Sequence, residues 1–176
     1  MNTNKTYQLS AVITPEEAAG GLNVTWTSDN PAVATVDETG LVTSHEEGSA
    51  VITATLSNGN TAETVIEVSD RPMLTFGHGT SQINNVIKSL STSFNNMSEN
   101  TVIVKKVEIF EGTTKKSEYS QADLNNAGID TEISQYEKFG ISITYNYGGL
   151  LASNGVYVKY TVQSGQGTYE FKSVIK

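Results

Sequence analysis

Only a few residues in this sequence have side chains suited to nucleophilic or metal chemistry. There are two histidines and no cysteine, which excludes disulfides, thiolate metal sites and cysteine nucleophiles. His45 precedes Glu46 and Glu47 in a predicted turn, and we interpret it as a solvated histidine. His78 lies in Gly77–Thr80, whose amides could hold an anion if a helix followed, although we favour a connector. A triad or zinc site would need partners that this pattern does not supply.

The carboxylates offer two further candidates for chemistry. The segment Asp37-Glu38-Thr39-Gly40 contains the residue types of the Asp-Thr-Gly motif of aspartic proteases. Glu38 breaks the spacing of that motif and no second copy is present, so we expect a structural turn. Asp123, Asp130 and Glu132 could supply oxygen ligands to calcium, but their spacing matches no defined calcium loop. We therefore predict no catalytic residues, no bound metal and no cofactor.

Tyrosine is the residue type best suited to binding here. Six of the eight tyrosines lie at or after position 136. Exposed tyrosines contact protein and sugar surfaces well, but strand cores also use them. We take Tyr145, Tyr147 and Tyr157 as the candidate contact surface, with Tyr145 and Tyr147 on one face of a predicted strand.

Charge and hydropathy exclude several classes of partner. The 176 residues carry a net charge of −8 and a pI near 4.7, so a polyanion such as nucleic acid would be repelled. No apolar run is long enough to span a membrane, and no signal peptide is visible. The composition is poor in charged and apolar residues and rich in Thr, Ser, Asn and Gly, which is typical of β-rich exposed proteins.

Hydrophobic residues alternate with a period of two through the first part of the chain, which predicts six short strands. Trp26 is predicted to fill the core between two sheets. The segment Ser57–Asn60 contains Asn-Gly, a strong signal for a type I′ hairpin turn. The predicted strands cover 7–13, 24–28, 33–36, 41–43, 50–56 and 61–68.

These residues resemble the bacterial immunoglobulin-like domain of group 2 over about residues 5–70. The segments that carry the resemblance are Leu9-x-Ala11-x-Ile13-x-Pro15, Val24–Val36 with Trp26, Asp37–Thr43 and Gly48–Ala54. The resemblance implies an immunoglobulin-like β-sandwich in which Gly40 makes a tight turn. Members of that family begin with an additional strand, for which Met1–Lys5 is too short. That strand is therefore expected to be missing, or to be supplied by another chain or by the second part.

The second part begins after a linker at Ser69–Pro72. Ile83, Val86, Ile87, Leu90 and Phe94 have the spacing of one helix face, which predicts an amphipathic helix over about 81–93. Ser120–Asp123 has the form of a capping box, and Gly128 that of a C-cap, which predicts a single helical turn. Strands are predicted at 101–110, 139–147, 156–162 and 168–175, with a second Asn-Gly hairpin signal at 152–155.

The predicted fold is mainly β. An N-terminal immunoglobulin-like sandwich, residues 1–70, precedes a β-rich α+β domain, residues 71–176, with one short helix. This architecture favours a non-enzymatic structural or interaction protein. The resemblance implies a bacteriophage virion component on the virion surface, such as a capsid decoration, head fibre or tail-associated protein.

The alternative is a fragment of a bacterial cell-surface or extracellular protein of the adhesin or invasin type. An accessory module of a secreted carbohydrate-active enzyme is a weaker third hypothesis. The expected partners are other virion or cell-surface proteins, or carbohydrate, and an oligomer is compatible with each. Nucleic acid binding and membrane insertion are not expected.

Overall fold

The computed structural model describes residues 1–14, 20–84, 86–145, 149–151 and 154–175. Strands dominate these residues, and they contain one short helix. The chain divides into two compact units, Met1–Asp70 and Arg71–Lys176. The predicted mainly β fold class is confirmed.

The first unit contains six strands in two antiparallel sheets. The strands are β1 (Thr6–Gln8), β2 (Val24–Ser28), β3 (Ala34–Val36), β4 (Leu41–Ser44), β5 (Gly48–Leu56) and β6 (Thr61–Val68). One sheet has the order β1-β4-β3 and the other β2-β5-β6. The period of two explains the packing, because Ala50, Ile52 and Ala54 are buried while the residues between them are partly exposed.

The hairpin predicted at Ser57–Asn60 joins β5 to β6, but its turn type differs from the prediction. The amide of Leu56 donates to Asn60 O, and the amide of Gly59 donates to Leu56 O, both at 2.8 Å. Gly59 has φ +92°, whereas Asn58 keeps a negative φ and accepts a bond from the Asn60 amide through its side chain. The loop is therefore a three-residue turn closed by one left-handed glycine, not a type I′ turn.

The start of the chain corrects two expectations. The predicted strand over 7–13 ends at Gln8, and Pro15, predicted to stop it, lies outside the described residues. The expected gap at the sheet edge is filled by the first residues themselves. The Met1 amine donates to Glu67 O at 2.6 Å, and the Ser69 amide donates to Met1 O at 2.9 Å.

The second unit is also built from two antiparallel sheets. Its strands and helix are β7 (Leu74–Ile83), β8 (Val86–Asn96), β9 (Val102–Glu111), β10 (Thr114–Ser120), α1 (Gln121–Asn126), β11 (Glu132–Ile133), β12 (Lys138–Thr144), β13 (Leu150–Leu151), β14 (Val156–Ser164) and β15 (Gly167–Val174). One sheet has the order β10-β9-β14-β15, with β11 also paired to β9. In the other, β8 pairs with β7, β12 and β13.

Aromatic side chains fill the space between these two sheets. Phe94 on β8, Phe139 on β12 and Tyr160 on β14 are all buried. The centroids of Phe94 and Tyr160 lie 5.4 Å apart with the rings perpendicular, and those of Phe94 and Phe139 lie 5.3 Å apart in a stacked arrangement. The Phe94–Tyr160 contact joins one sheet to the other, so the second unit has a sandwich core.

The helix predicted over 81–93 is wrong, because β7 and β8 occupy this region. The pairing shifts between Ser81 and Gln82, which face Ser89 and Ile87, so Lys88 is an extra residue in β8. This bulge places Ile87 and Leu90, three residues apart, on the same buried face. Normal alternation then brings Phe94 onto that face, four residues further on. A bulged strand thus reproduces helical spacing.

The short helix is where the capping pattern predicted it. The Ser120 side chain accepts a bond from the Asp123 amide, and the Asp123 carboxylate accepts a bond from the Ser120 amide. At the other end, Gly128 has φ +72° and the Ile129 amide donates to Leu124 O at 3.0 Å, as in a Schellman motif. Leu124 is buried, which anchors the helix to the core.

The second Asn-Gly signal, at residues 152–155, does not lie between two paired strands of a hairpin. Residues 152–153 lie outside the described residues. The strands on either side are not hairpin partners, because β13 pairs with β8 whereas β14 pairs with β9 and β15. The chain changes sheets here. The last two predicted strands are present as β14 and β15, which pair antiparallel with each other.

Candidate interaction surface

Tyr157 stands on the outward face of β14, between two neighbours. Its ring stacks on Phe110 of β9, with centroids 4.8 Å apart and planes at 4°. The ammonium of Lys172, on β15, lies 3.9 Å from the Tyr157 ring centroid. Because β9 and β15 flank β14 on opposite sides, both faces of the ring are covered. Tyr157 therefore offers a partner its ring edge and hydroxyl, not a flat stacking face.

Tyr145 has a different setting, just after β12. Its amide donates to Lys88 O at 2.8 Å, and its ring packs against the buried core. Burial raises the pKa of its hydroxyl, and Ser117 beside it offsets part of that rise. Tyr147 lies outside the described residues. The structure thus brings no pair of the three predicted contact tyrosines together among the described residues.

The sheet that carries Tyr157 presents a cluster of lysines that sequence analysis did not single out. We name as the lysine face the outward residues Lys106, Lys115, Lys159 and Lys172, which surround Glu108. The ammonium groups of Lys106, Lys115 and Lys159 lie 3.4, 3.2 and 3.3 Å from the Glu108 carboxylate. The outward alternation of Lys106, Glu108 and Phe110 within one predicted strand was the available signal.

The Glu108 carboxylate is almost completely covered, since its side chain is 6% exposed. Burial by itself would raise the pKa of this carboxyl, but hydrogen bonds from Lys115 and Lys159 hold the pKa below its usual value. Glu108 is therefore ionised and serves as the central counter-charge for three lysines.

His78 joins the two sheets of the second unit through a chain of polar groups. Its Nε2 lies 2.7 Å from Ser173 Oγ on β15, and its Nδ1 lies 3.0 Å from Thr92 Oγ1 on β8. The Thr92 hydroxyl also bonds the hydroxyl of Tyr160, whose pKa burial raises to about 12. Burial lowers the pKa of the His78 imidazole. The anion site considered at Gly77–Thr80 is wrong, because β7 continues through these residues and no helix begins there.

The other candidate groups hold turns and caps. His45 Nε2 lies 2.8 Å from Thr35 Oγ1. Asp37 Oδ1 accepts bonds from the amides of Thr39 and Leu41, which makes the structural turn expected at Asp37–Gly40. Asp123 belongs to the capping box described above. Across the described residues, no three His, Cys, Asp or Glu side chains are grouped to hold a metal ion.

A cavity of about 550 Å³ opens in the first unit beside Trp26. Leu9, Ile52 and Leu56 contribute apolar walls, and Glu63 is the carboxylate among its described lining residues. The hydroxyl side chains of Ser10, Thr14, Thr61 and Thr64 also line the cavity.

The position of Trp26 also explains why residue 40, later in the same motif, is a glycine. Gly40 has φ +84°, and a Cβ there would lie 3.0 Å from Trp26 Cε2 and Cζ2 and from Leu9 O. The indole thus packs directly on a turn that only glycine fits well. Residues 1–66 match the model of the bacterial Ig-like domain (group 2). The first unit is a bacterial immunoglobulin-like domain of group 2.

A curated protein is similar to part of this chain. Lacto-N-biosidase of Bifidobacterium bifidum is 42% identical over 65 residues, which cover 37% of this chain and 6% of that protein. This chain thus corresponds to a small part of that relative's length. The group 2 match supports a role in surface interactions.

Solved structures show only distant similarity to the whole chain. The S-layer protein rSbsC(31-844) is 16% identical, with a TM-score of 0.35, over 85% of this chain and 19% of that one. Drosophila OTK extracellular domains 3–5 are 11% identical, with a TM-score of 0.29, over 99% and 56% of the two chains. Values this low carry no argument about function. None of the described helical residues forms a helix long and apolar enough to cross a membrane.

Proposed function

We propose that this protein is a non-enzymatic interaction component displayed on an outer surface. In this proposal the group 2 domain is a structural spacer and the second unit carries the contact surface. The observation that supports it most is the match of residues 1–66 to the bacterial Ig-like domain. The described side chains that were candidates for chemistry are those of His45, His78, Asp37 and Asp123. In the structure they form hydrogen bonds that hold turns, caps and sheets together.

The contact surface that we propose is the outward face of the β10-β9-β14-β15 sheet. Tyr157 remains a predicted contact residue, through its ring edge and hydroxyl. Tyr145 and Tyr147 also remain predicted contacts, although the ring of Tyr145 packs against the core. The lysine face adds charge around Tyr157, and Val174 beside it is 55% exposed. An aromatic and aliphatic centre with a charged rim is the usual anatomy of a protein-binding patch.

We favour a bacterial cell-surface or extracellular protein as the setting, with a phage virion component as the alternative. The bifidobacterial relative supports a bacterial setting. A protein partner is preferred to carbohydrate because both faces of the Tyr157 ring are occupied.

Quantitative mass spectrometry of the source culture tests this proposal. The culture is divided into a cell-envelope fraction, a density-purified particle fraction, the medium and the cytosol. Enrichment in the envelope or medium supports the bacterial setting, and a fixed ratio to a capsid or tail protein in particles supports the virion. Peptides that continue into a catalytic domain would support the accessory-module hypothesis. Recovery in the cytosol alone would contradict the proposal.

A further inference from the structure

The two units carry very different charges. Met1–Asp70 contains ten carboxylates and one lysine, Lys5, for a net charge of −9. Arg71–Lys176 contains ten cationic residues and nine carboxylates, for a net charge of +1. A single lysine cannot neutralise ten carboxylates, so the first unit has a negative surface potential.

The lysine face of the second unit carries four lysines and the carboxylates of Glu108, Glu118 and Glu170, for a net charge of +1. The side chains of Lys106, Lys115 and Lys159 are 34%, 47% and 28% exposed, whereas that of Glu108 beneath them is 6% exposed. Two exposed carboxylates, Glu118 and Glu170, stand at the margins of this face. The centre of this face holds the Phe110–Tyr157 pair beside the partly exposed side chains of the lysines.

A surface with the opposite pattern lies on the first unit. Glu63, Val65 and Glu67 alternate along β6 and face away from the core, so they form what we name the acidic strip. All three are exposed, and Val65 is 59% exposed. An apolar side chain between two carboxylates complements an aromatic pair between lysines. The spacing along a strand is about 7 Å on both surfaces.

We propose that the lysine face of one copy of this protein binds the acidic strip of the first unit of a second copy. A lysine face cannot pair with another lysine face, because like charges would meet. The contact is therefore heterologous, head to tail, and such a contact builds open chains unless its rotation closes a ring. The inference concerns the purified protein and does not depend on the proposed cellular setting.

The size of the surface sets the expected strength. Four strands about 4.8 Å apart and about eight residues long give a face of roughly 500 Å². The acidic strip lies on a smaller, three-stranded sheet, which limits the contact to roughly 400 Å² per copy, or roughly 800 Å² in total, below the usual size of a specific interface. We therefore expect weak, reversible association that electrostatic complementarity makes specific.

The dependence on salt provides a sharp signature. Whole copies, each of net charge −8, repel one another when the Debye length is about 30 Å, at about 0.01 M salt. At about 0.15 M salt the Debye length is about 8 Å, so only the facing patches interact. At about 1 M salt their attraction is screened as well. Association should be strongest at intermediate salt and weaker at both extremes.

The proposal is tested by sedimentation velocity of the full chain. The protein concentrations are about 100 μM, and the measurement is made at each of these three salt concentrations. Lys172→Glu should lower the association constant by about threefold, and Glu63→Lys with Glu67→Lys by about tenfold. The matched controls are Lys138→Glu for the single variant and Glu38→Lys with Glu46→Lys for the double variant. They make the same charge changes on other surfaces and should leave association unchanged. Thermal unfolding of each variant verifies that it folds.

The decisive experiment exchanges one charge of the lysine face with one charge of the acidic strip. A chain that combines Lys172→Glu with Glu67→Lys should regain association that each single change lowers. A mixture of the two single variants should associate more strongly than either variant alone. A monomer at every concentration and salt would overturn the proposal, as would equal effects of the control variants. Loss of association without recovery in the combined variant would also overturn it.

Discussion

The first unit builds its core from small aliphatic side chains and one tryptophan, whereas the second builds its core around aromatic rings. Val33, Ala34 and Ala50 are typical of the buried set in the first unit. Phe94, Phe139 and Tyr160 are typical of the second. A small core depends more on each backbone position that lets it close, such as Gly40 under Trp26. A larger core can also hold a polar chain such as Ser173–His78–Thr92–Tyr160.

The difference extends to charge. The first unit leaves its negative charge on the surface, and the second gathers part of its charge around the covered carboxylate of Glu108. Charge in the first unit should therefore affect partners more than stability. Around Glu108, charge should affect both, because removing a covered counter-charge leaves three ammonium groups close together.

Phe94→Ala should cause the largest loss of stability and should confine it to the second unit. Phe94 is fully buried between three other rings, and truncating such a residue costs about 3–5 kcal/mol. Hydrogen exchange read by peptide should show loss of protection beyond residue 71 and little change before it. Phe110→Ala, on the outward face, is the control. Equal loss in both units would contradict the view that their cores are separate.

Gly40→Ala should destabilise the first unit by about 2 kcal/mol. The substitution combines a positive φ with contact against Trp26 and Leu9. Gly59→Ala has a similar φ but nothing within 4 Å, so it should cost about 1 kcal/mol. Trp26 is the chain's sole tryptophan, so denaturation followed by its fluorescence reports the first unit. If both variants unfold alike, packing against Trp26 adds nothing.

Glu108→Gln should destabilise the second unit by about 1–3 kcal/mol, since three ammonium groups would lose their shared counter-charge. Glu118→Gln removes an exposed partner of Lys115 and should cost less than about 0.5 kcal/mol. Urea unfolding followed by hydrogen exchange measures the loss of stability in both variants. Because the pKa of Glu108 is lowered in the fold, its contribution is present above the unfolded pKa and is lost as pH falls through the folded value.

The smallest effect should be a pH dependence from His78 below about pH 6.5. Burial lowers its pKa in the folded state, so the unfolded chain binds a proton first as pH falls below about 6.5. The second unit should therefore lose stability below that pH, whereas nothing changes above it. His78→Gln should flatten this part of the profile, and His45→Gln should leave it intact. An unchanged profile in His78→Gln would show that another group is responsible.

The hydrophobic periodicity of the sequence was sufficient to predict a strand where that strand is regular and has one buried face. It located β5 and β6, where Ala50, Ile52 and Ala54 alternate with exposed residues. It failed at β8, because the bulge at Lys88 imitates helical spacing and inward Thr92 and Asn96 hide the alternation. The lysine face was also missed. Its members come from β9, β10, β14 and β15, and sequence distance does not reveal which strands are neighbours.

The sequence by itself determined the mainly β class, the group 2 domain, the capped helical turn at Ser120 and the overall negative charge. These depend on local spacing, turn chemistry and composition, which the chain carries without folding. Only the tertiary structure decided which side chains meet. Tyr157 was a candidate for a flat binding face until Phe110 and Lys172, 47 residues before and 15 after it, covered both sides of its ring. Such contacts arise from strand order in the sheet, which is set by the packing of the whole unit and not by any one segment.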